Sequence, residues 1–423
     1  MGTPVPINGP VLLLFGPLGL FFARLSRHLE AQGVPVYKLS LPLHEFGFRR
    51  QQRLPYSSSP EAFPATLAAW IERYGIRHVF MYGDYISLHR LALEELRNHD
   101  QVTVGVFELG YCRPNFLTLE TSGVNARSAL SRDPCSYQNL PEPPANPAPR
   151  GPRSRNRSCS KTPRRSTYLR LAKACSFIVH CFQHYPLLPY PHKLQPRLWD
   201  LWAQYIGILR GLLYRLSEAP LRRRLRRGGD YVLVALQVAT DSQIHESSPY
   251  AGMEPLIEEL TASFAAHAPA SLRLVFKHHP RDLGYNHYGS CIAMLRRRFG
   301  LSRQRLLYIH DAPLARLLAS RHCCGLITVS STVGLQALAA GVPVKLMGDT
   351  FFAIEGLVDQ GPLATFWQKP RGPDPDLWRR FQLVMLNRTQ FRGNFDGPVD
   401  FDALVPVTPE SFMPLHQPPE APG

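Results

Sequence analysis

Acids are scarce in this 423-residue chain. It carries 32 Asp and Glu against 48 Lys and Arg, a formal net charge of +16 at pH 7. Such a surplus attracts anionic partners: lipid headgroups, nucleic acid or a charged small substrate. Organised cysteine is lacking too. None of the 8 Cys sits in a CxxC pair, and only Cys323 and Cys324 are adjacent. That argues against a zinc cluster or a disulfide scaffold and suits a reducing compartment. No charged leader opens the chain, and Val11 to Phe15 is too short for a signal-peptide core or a membrane span. Met1-Gly2 followed by Pro6 does not fit a myristoylation signal. The expectation from these absences is a cytoplasmic protein.

What is present has α/β rhythm, and the length allows two or three domains. Val11 to Phe15 reads as a buried strand, Leu20 to Gln32 as a helix, and Val34 to Leu39 as the next strand. Gly16 lies in the turn between the first two. Further strands are expected at 77–82, ending in Gly83-Asp84, and at 102–107, running into Glu108-Leu109-Gly110-Tyr111-Cys112-Arg113. Charged and aromatic residues immediately after a buried strand mark a site in this architecture, although a Glu108–Arg113 salt bridge reads equally well.

Residues 141–168 change character, being rich in Pro, Ser and Arg with almost nothing apolar, and read as a basic linker or a solvated loop. Trp199 to Arg227 then has a broad apolar helical face followed by Arg222, Arg223, Arg224, Arg226 and Arg227. It reads either as a contact with an anionic membrane or as an interdomain helix with solvated arginines.

A second α/β segment begins at Tyr231. Four of its strands end in polar clusters: Gln237 to Asp241, Lys277-His278-His279-Pro280, His310-Asp311, and Ser330-Ser331-Thr332 with Gly334 behind them. In a parallel sheet these ends share one edge, and four in succession favour a real cleft. The hydroxyl-rich loop before Val333 reads as an anion site at a helix N-terminus or as plain capping. From about Asn394 the sequence reads as an ordered strap and a loose Pro-rich tail.

Several long motifs occur in one order: GDYISLHRLALEEL, FELGYCRPNFLTLETSGVN, LQVATDSQI, FKHHPRDLGYNHYG, TVSSTVGLQALAAGVPVKLMG and FAIEGLVDQGPLATFW. From about Val11 to Phe395 the chain resembles the bacterial capsule-polysaccharide biosynthesis and export family of the KpsS/LipB type, retaining β-Kdo transferases. The resemblance implies an α/β fold with two Rossmann-like domains facing a cleft, the GT-B arrangement. It implies CMP-Kdo as donor, phosphatidylglycerol as the anionic phospholipid acceptor, and work at the inner membrane surface, with a second Kdo transferase and the capsule export machinery as candidate partners. The domains expected are an acceptor-side 1–140, a linker 141–168, a basic helical segment 169–228, a donor-side 229–370 and a C-terminal helix with tail, 371–423. It implies Asp241 as nucleophile and Glu108 as general base. Donor contacts would come from Gln237, Lys277, His278, His279, Pro280, Ser330, Ser331, Thr332 and Gly334. Acceptor-side contacts would come from Gly16, Asp84 and Arg113. No metal, cofactor or nucleic acid is expected, since there is no well-placed DxD pair and cationic side chains can neutralise the leaving phosphate. The alternatives are a GT-B enzyme using another nucleotide sugar, or a non-catalytic export factor.

Overall fold

The computed structural model describes residues 7–17, 20–40, 52–112, 115–121, 123–138, 140, 198–238 and 248–403. They fall into two compact units. The first takes residues within Met1–Ala129, Leu140–Pro196 and Leu383–Gly423, the second those within Leu130–Asn139 and Arg197–Gln382.

The first unit runs β1 (Val11–Leu13), α1 (Phe21–Ala31), β2 (Val36–Ser40), β3 (Arg53–Pro55), α2 (Phe63–Tyr74), β4 (His78–Tyr82), α3 (Ser87–Leu96), β5 (Thr103–Leu109) and β6 (Phe116–Glu120). In the second unit come α4 (Leu198–Ser217), α5 (Ala219–Arg227), β7 (Tyr231–Ala235), α6 (Met253–His267), β8 (Arg273–Lys277), α7 (Gly289–Arg298), β9 (Leu306–Ile309), α8 (Leu314–Leu318), β10 (Cys323–Thr328), α9 (Val333–Ala339), β11 (Val344–Leu346) and α10 (Leu363–Gln368). Helix α11 (Pro375–Thr389) carries the chain from residues of the second unit to residues of the first, where β12 (Gln390–Arg392) follows.

The two sheets share one plan. The second has the order β11-β10-β7-β8-β9, all parallel. The first has β12-β6-β5-β4-β1-β2-β3, where β5-β4-β1-β2-β3 are parallel and β6 and β12 add antiparallel strands at one edge. In both, strand order reverses beside the first strand of the unit, as in doubly wound Rossmann sheets. The two Rossmann-like α/β units expected from sequence are therefore present. Strand β7 is buried along its whole length, as a strand covered on both faces must be. Helix α2 stops at Gly75, which takes φ +59° and turns its N–H back to the Ile71 and Glu72 carbonyls.

Two features differ from the sequence reading. The 199–227 stretch is two helices, broken at Glu218, with Pro220 in the first turn of the second, where its missing backbone donor is tolerated. Residues 390–392 form an edge strand that the sequence reading did not assign; a three-residue strand offers too little alternation to be seen. The strap expected from about Asn394 is described through residue 403 and packs within the first unit. Phe395 meets Phe21 edge-on at 4.8 Å, and the Arg24 guanidinium donates to the carbonyls of Phe395 at 2.7 Å and Gly397 at 2.5 Å. Phe21 touches Phe107 from the other side at 5.2 Å, so the strap completes the core face that carries β5. The 141–168 linker lies outside the described residues.

Phe395→Ala is therefore expected to cost the first unit about 3–5 kcal/mol, the usual range for emptying a buried phenylalanine site. Urea unfolding monitored with the second unit's signal as internal reference measures it.

Candidate active site

In the second unit the order reverses between β7 and β10. Neighbouring connections leave in opposite directions there, and the strand ends open a crevice. Gln237, just beyond β7, reaches across it: its Oε1 accepts the Ser330 N–H, just beyond β10, at 2.9 Å. Both residues are buried. Ser330 Oγ and Thr328 Oγ1 are buried beside them without a hydrogen-bond partner. Ser331 Oγ accepts the Val333 N–H at 3.3 Å and so serves the first turn of α9. Thr332 is half-buried and makes no side-chain cap. A Cβ on Gly334 would lie 2.7 Å from the Phe352 ring, so glycine is needed for that packing.

Strand β8 delivers Lys277, His278 and His279 to the same edge. Lys277 is buried, its Nζ donates to the His278 carbonyl at 3.2 Å, and burial lowers its pKa against the opposing pull of Asp311 and Glu218. His279 Nδ1 accepts the Arg281 N–H at 3.1 Å, which puts the proton of the neutral ring on Nε2. Pro280 is exposed.

His278 belongs to a set that reading by motif largely missed. Its Nδ1 meets the Tyr308 hydroxyl at 2.7 Å, and burial, aided by neighbouring His310, drops its pKa to about 3. The neutral ring accepts the tyrosine proton at Nδ1 and carries its own at Nε2. His310 donates Nδ1–H to Glu218 at 2.6 Å, while Glu218 also accepts the backbone N–H groups of His310 and Asp311, each at 2.9 Å. Tyr214 from α4 lies flat on the His310 ring at 3.8 Å, and His287 stacks at 5.3 Å. The His278 and His310 rings are 5.2 Å apart, and Nε2 of each is buried with no hydrogen-bond partner. Such atoms call for an occupant. His310-Asp311 was visible as a polar strand end. Glu218 was not: it lies in an arginine-rich stretch, 92 residues from its partner.

The first unit supplies a separate cluster. Glu108 lies near the end of β5, and its Oε1 accepts the Tyr82 hydroxyl at 3.2 Å and the Leu109 N–H at 2.8 Å. At the end of β6 is Glu120, buried, taking hydrogen bonds from the Tyr111 hydroxyl at 2.6 Å, from Ser128 Oγ and from the Ala129 N–H. Burial raises its pKa to about 7. Asp84 is buried and binds the Val124 N–H at 3.0 Å and the Arg127 guanidinium at 3.6 Å, which fixes the loop after β6. A Cβ on Gly16 would lie 2.6 Å from the Phe22 ring, so this position serves close packing. At this unit's own reversal, between β1 and β4, side chains bond the strand-end carbonyls: Lys38 donates to the Leu14 carbonyl at 2.5 Å, and buried His89 bonds the Gly83 carbonyl at 2.8 Å.

Asp241 and Arg113 lie outside the described residues. Among the described residues no group of three His, Cys, Asp or Glu is placed to hold a metal ion, and no helix is long and apolar enough to cross a membrane.

The profile of a family described as capsule polysaccharide biosynthesis protein matches residues 77–396. A capsule polysaccharide modification protein, LipB, of Neisseria meningitidis serogroup A is 32% identical over 412 residues, 94% of this chain and 96% of that protein. A capsule polysaccharide export protein, KpsS, of Escherichia coli is 34% identical over 386 residues, 90% of this chain and 95% of that one. Among solved structures, a β-Kdo 2,7 transferase, KpsC of Thermosulfurimonas dismutans, is similar at TM-score 0.41 and 18% identity, covering 89% of each chain, a likeness too distant to bear on activity.

A neutral buried histidine gives a testable pH dependence. The His278 pKa falls from 6.5 unfolded to about 3 folded. Its contribution to stability is present above pH 6.5 and is lost as pH falls towards 3. Wild type is therefore expected to lose stability below pH 6.5 more steeply than His278→Asn, measured as urea midpoints from pH 7.5 to 4.

Proposed function

The chain belongs to the capsule polysaccharide biosynthesis family, and from that membership we propose that it is a retaining glycosyltransferase that moves Kdo from CMP-Kdo to phosphatidylglycerol, starting the lipid-borne linker of a capsule. The observation that carries the reading is the second unit's strand reversal. There Gln237, the first residue of the Gln-x-x-x-Asp motif, is tied to Ser330 at 2.9 Å, and β8 brings Lys277 and His279 to the same edge. A nucleotide sugar is the kind of ligand such a crevice takes.

Retention needs two displacements. Asp241 attacks the anomeric carbon, a carboxylate–sugar ester forms, and the bond to the CMP phosphate oxygen breaks. Lys277 supplies positive charge behind the departing phosphate, and His279 supplies an N–H. The buried Nε2 atoms of His278 and His310 are available to the polar groups of the donor. In the second step the acceptor hydroxyl attacks the anomeric carbon and the ester to Asp241 breaks. Glu108 takes the hydroxyl proton, with its carboxylate held by Tyr82 and the Leu109 amide. Ser330, Ser331, Thr332 and Gly334 line the donor side, and Gly16, Asp84 and Arg113 support the acceptor side.

Purified protein given CMP-Kdo and a fluorescent phosphatidylglycerol is expected to yield a Kdo-lipid. Glu108→Gln is expected to lower kcat by about 10²–10⁴, the worth of a general base. Asp241→Asn is expected to yield no product. CMP release without lipid product would reject the acceptor. Unchanged turnover in both variants would reject the mechanism.

A further inference from the structure

Helix α4 has one face fixed and one bare. On the fixed face the backbones touch: a Cβ on Gly284 would lie 1.7 Å from the Ala203 carbonyl oxygen, and one on Gly207 would lie 3.3 Å from the Gly284 nitrogen. Arg210 donates to the Leu283 carbonyl at 3.0 Å, Tyr214 covers His310, and Glu218 closes the row. Ala203, Gly207, Arg210, Tyr214 and Glu218 follow helical spacing, so they form one stripe. At the end of α4, Arg222 ties α5 down by donating to the Asp311 carbonyl at 2.9 Å. The helix is thus held firmly against the second unit, and its orientation there is set.

The opposite stripe is Trp202, Tyr205, Leu209, Leu212, Leu213 and Leu216, with exposures from 44% to 77%. Spacings of three and four residues keep them in one line. A continuous apolar stripe this exposed marks an interaction surface. Trp202 and Tyr205 stack at one end, 5.8 Å apart, and are the residue types that favour a headgroup boundary. Towards the other end come exposed Arg215, its Nε 3.9 Å from Asp311, and, on α5, exposed Arg223 and Arg224.

We propose that this stripe lies in the headgroup layer of an anionic bilayer, parallel to its surface, with the arginines on lipid phosphates. Charge selects this occupant. A second copy of a chain with net charge +16 would bring arginine against arginine, whereas anionic lipid neutralises them. An interfacial helix combines an apolar face with a basic flank, and α4 with α5 has both. The surface would serve the transfer to lipid proposed above, but it rests on exposure and charge alone, so binding can be read without donor sugar.

Flotation of the full chain with vesicles tests it. Wild type is expected to float with vesicles of phosphatidylglycerol and phosphatidylcholine, not with phosphatidylcholine alone, and to release as salt rises. Leu212→Gln/Leu213→Gln/Leu216→Gln is expected to weaken binding by about tenfold or more, and Arg215→Gln/Arg223→Gln/Arg224→Gln similarly, since each buried apolar side chain and each arginine contributes. The arginine variant leaves the stripe intact, so it decides the matter if the leucine variant misfolds. Equal binding to neutral vesicles, or unchanged binding in the arginine variant, overturns the proposal. So does a wild-type dimer that the glutamines turn into monomer, which would make the stripe a subunit interface. Binding that appears only after removal of residues 141–196 would likewise overturn it, by making that segment the occupant.

Discussion

A parallel sheet whose strand order turns back beside its first strand cannot close over its own end. The connections on either side depart in opposite directions, and two carboxyl-terminal strand ends are left with backbone groups to satisfy. The two units meet this constraint differently. In the first, the side chains of Lys38 and His89 bond the carbonyls of Leu14 and Gly83. In the second, a single amide–backbone bond from Gln237 to Ser330 spans it, and hydroxyls of Thr328 and Ser330 remain buried without partners.

Glu218 extends that constraint outward. One buried carboxylate takes two backbone N–H groups and the His310 ring, so the break between α4 and α5 is fixed to the end of β9. Removing it would leave the His310 and Asp311 amides unpaired and Tyr214 without a settled ring to lie on. The exposed face of α4 and the histidine set are therefore two sides of one structural joint. The proposed lipid surface and the proposed donor site would be coupled through this joint, which would keep the donor groups from shifting when the helix docks.

Much of this was legible in the sequence. Buried apolar runs such as Tyr231 to Ala235 and the polar clusters after them located the strands, their ends and the edge they share, because burial on both faces leaves a near-continuous apolar signal. The motif order pointed to the family. What escaped were contacts between residues far apart in sequence. Glu218 pairs with His310, Tyr308 with His278, and the strap after β12 with Phe21 and Arg24. Local pattern carries no information about such partners. Asp84 and Gly16 were legible as loop residues at strand ends, but what surrounds them, a backbone amide and an aromatic ring, follows only from packing.

The central claim is that the donor occupies the reversal of the second sheet. A crystal structure of the chain with CMP tests this most directly. The account predicts cytidine phosphate over the ends of β7, β8 and β10, within hydrogen-bond reach of His279 and the Ser330 hydroxyl. Nucleotide bound anywhere else, with the Gln237–Ser330 crevice closed and dry, would contradict it.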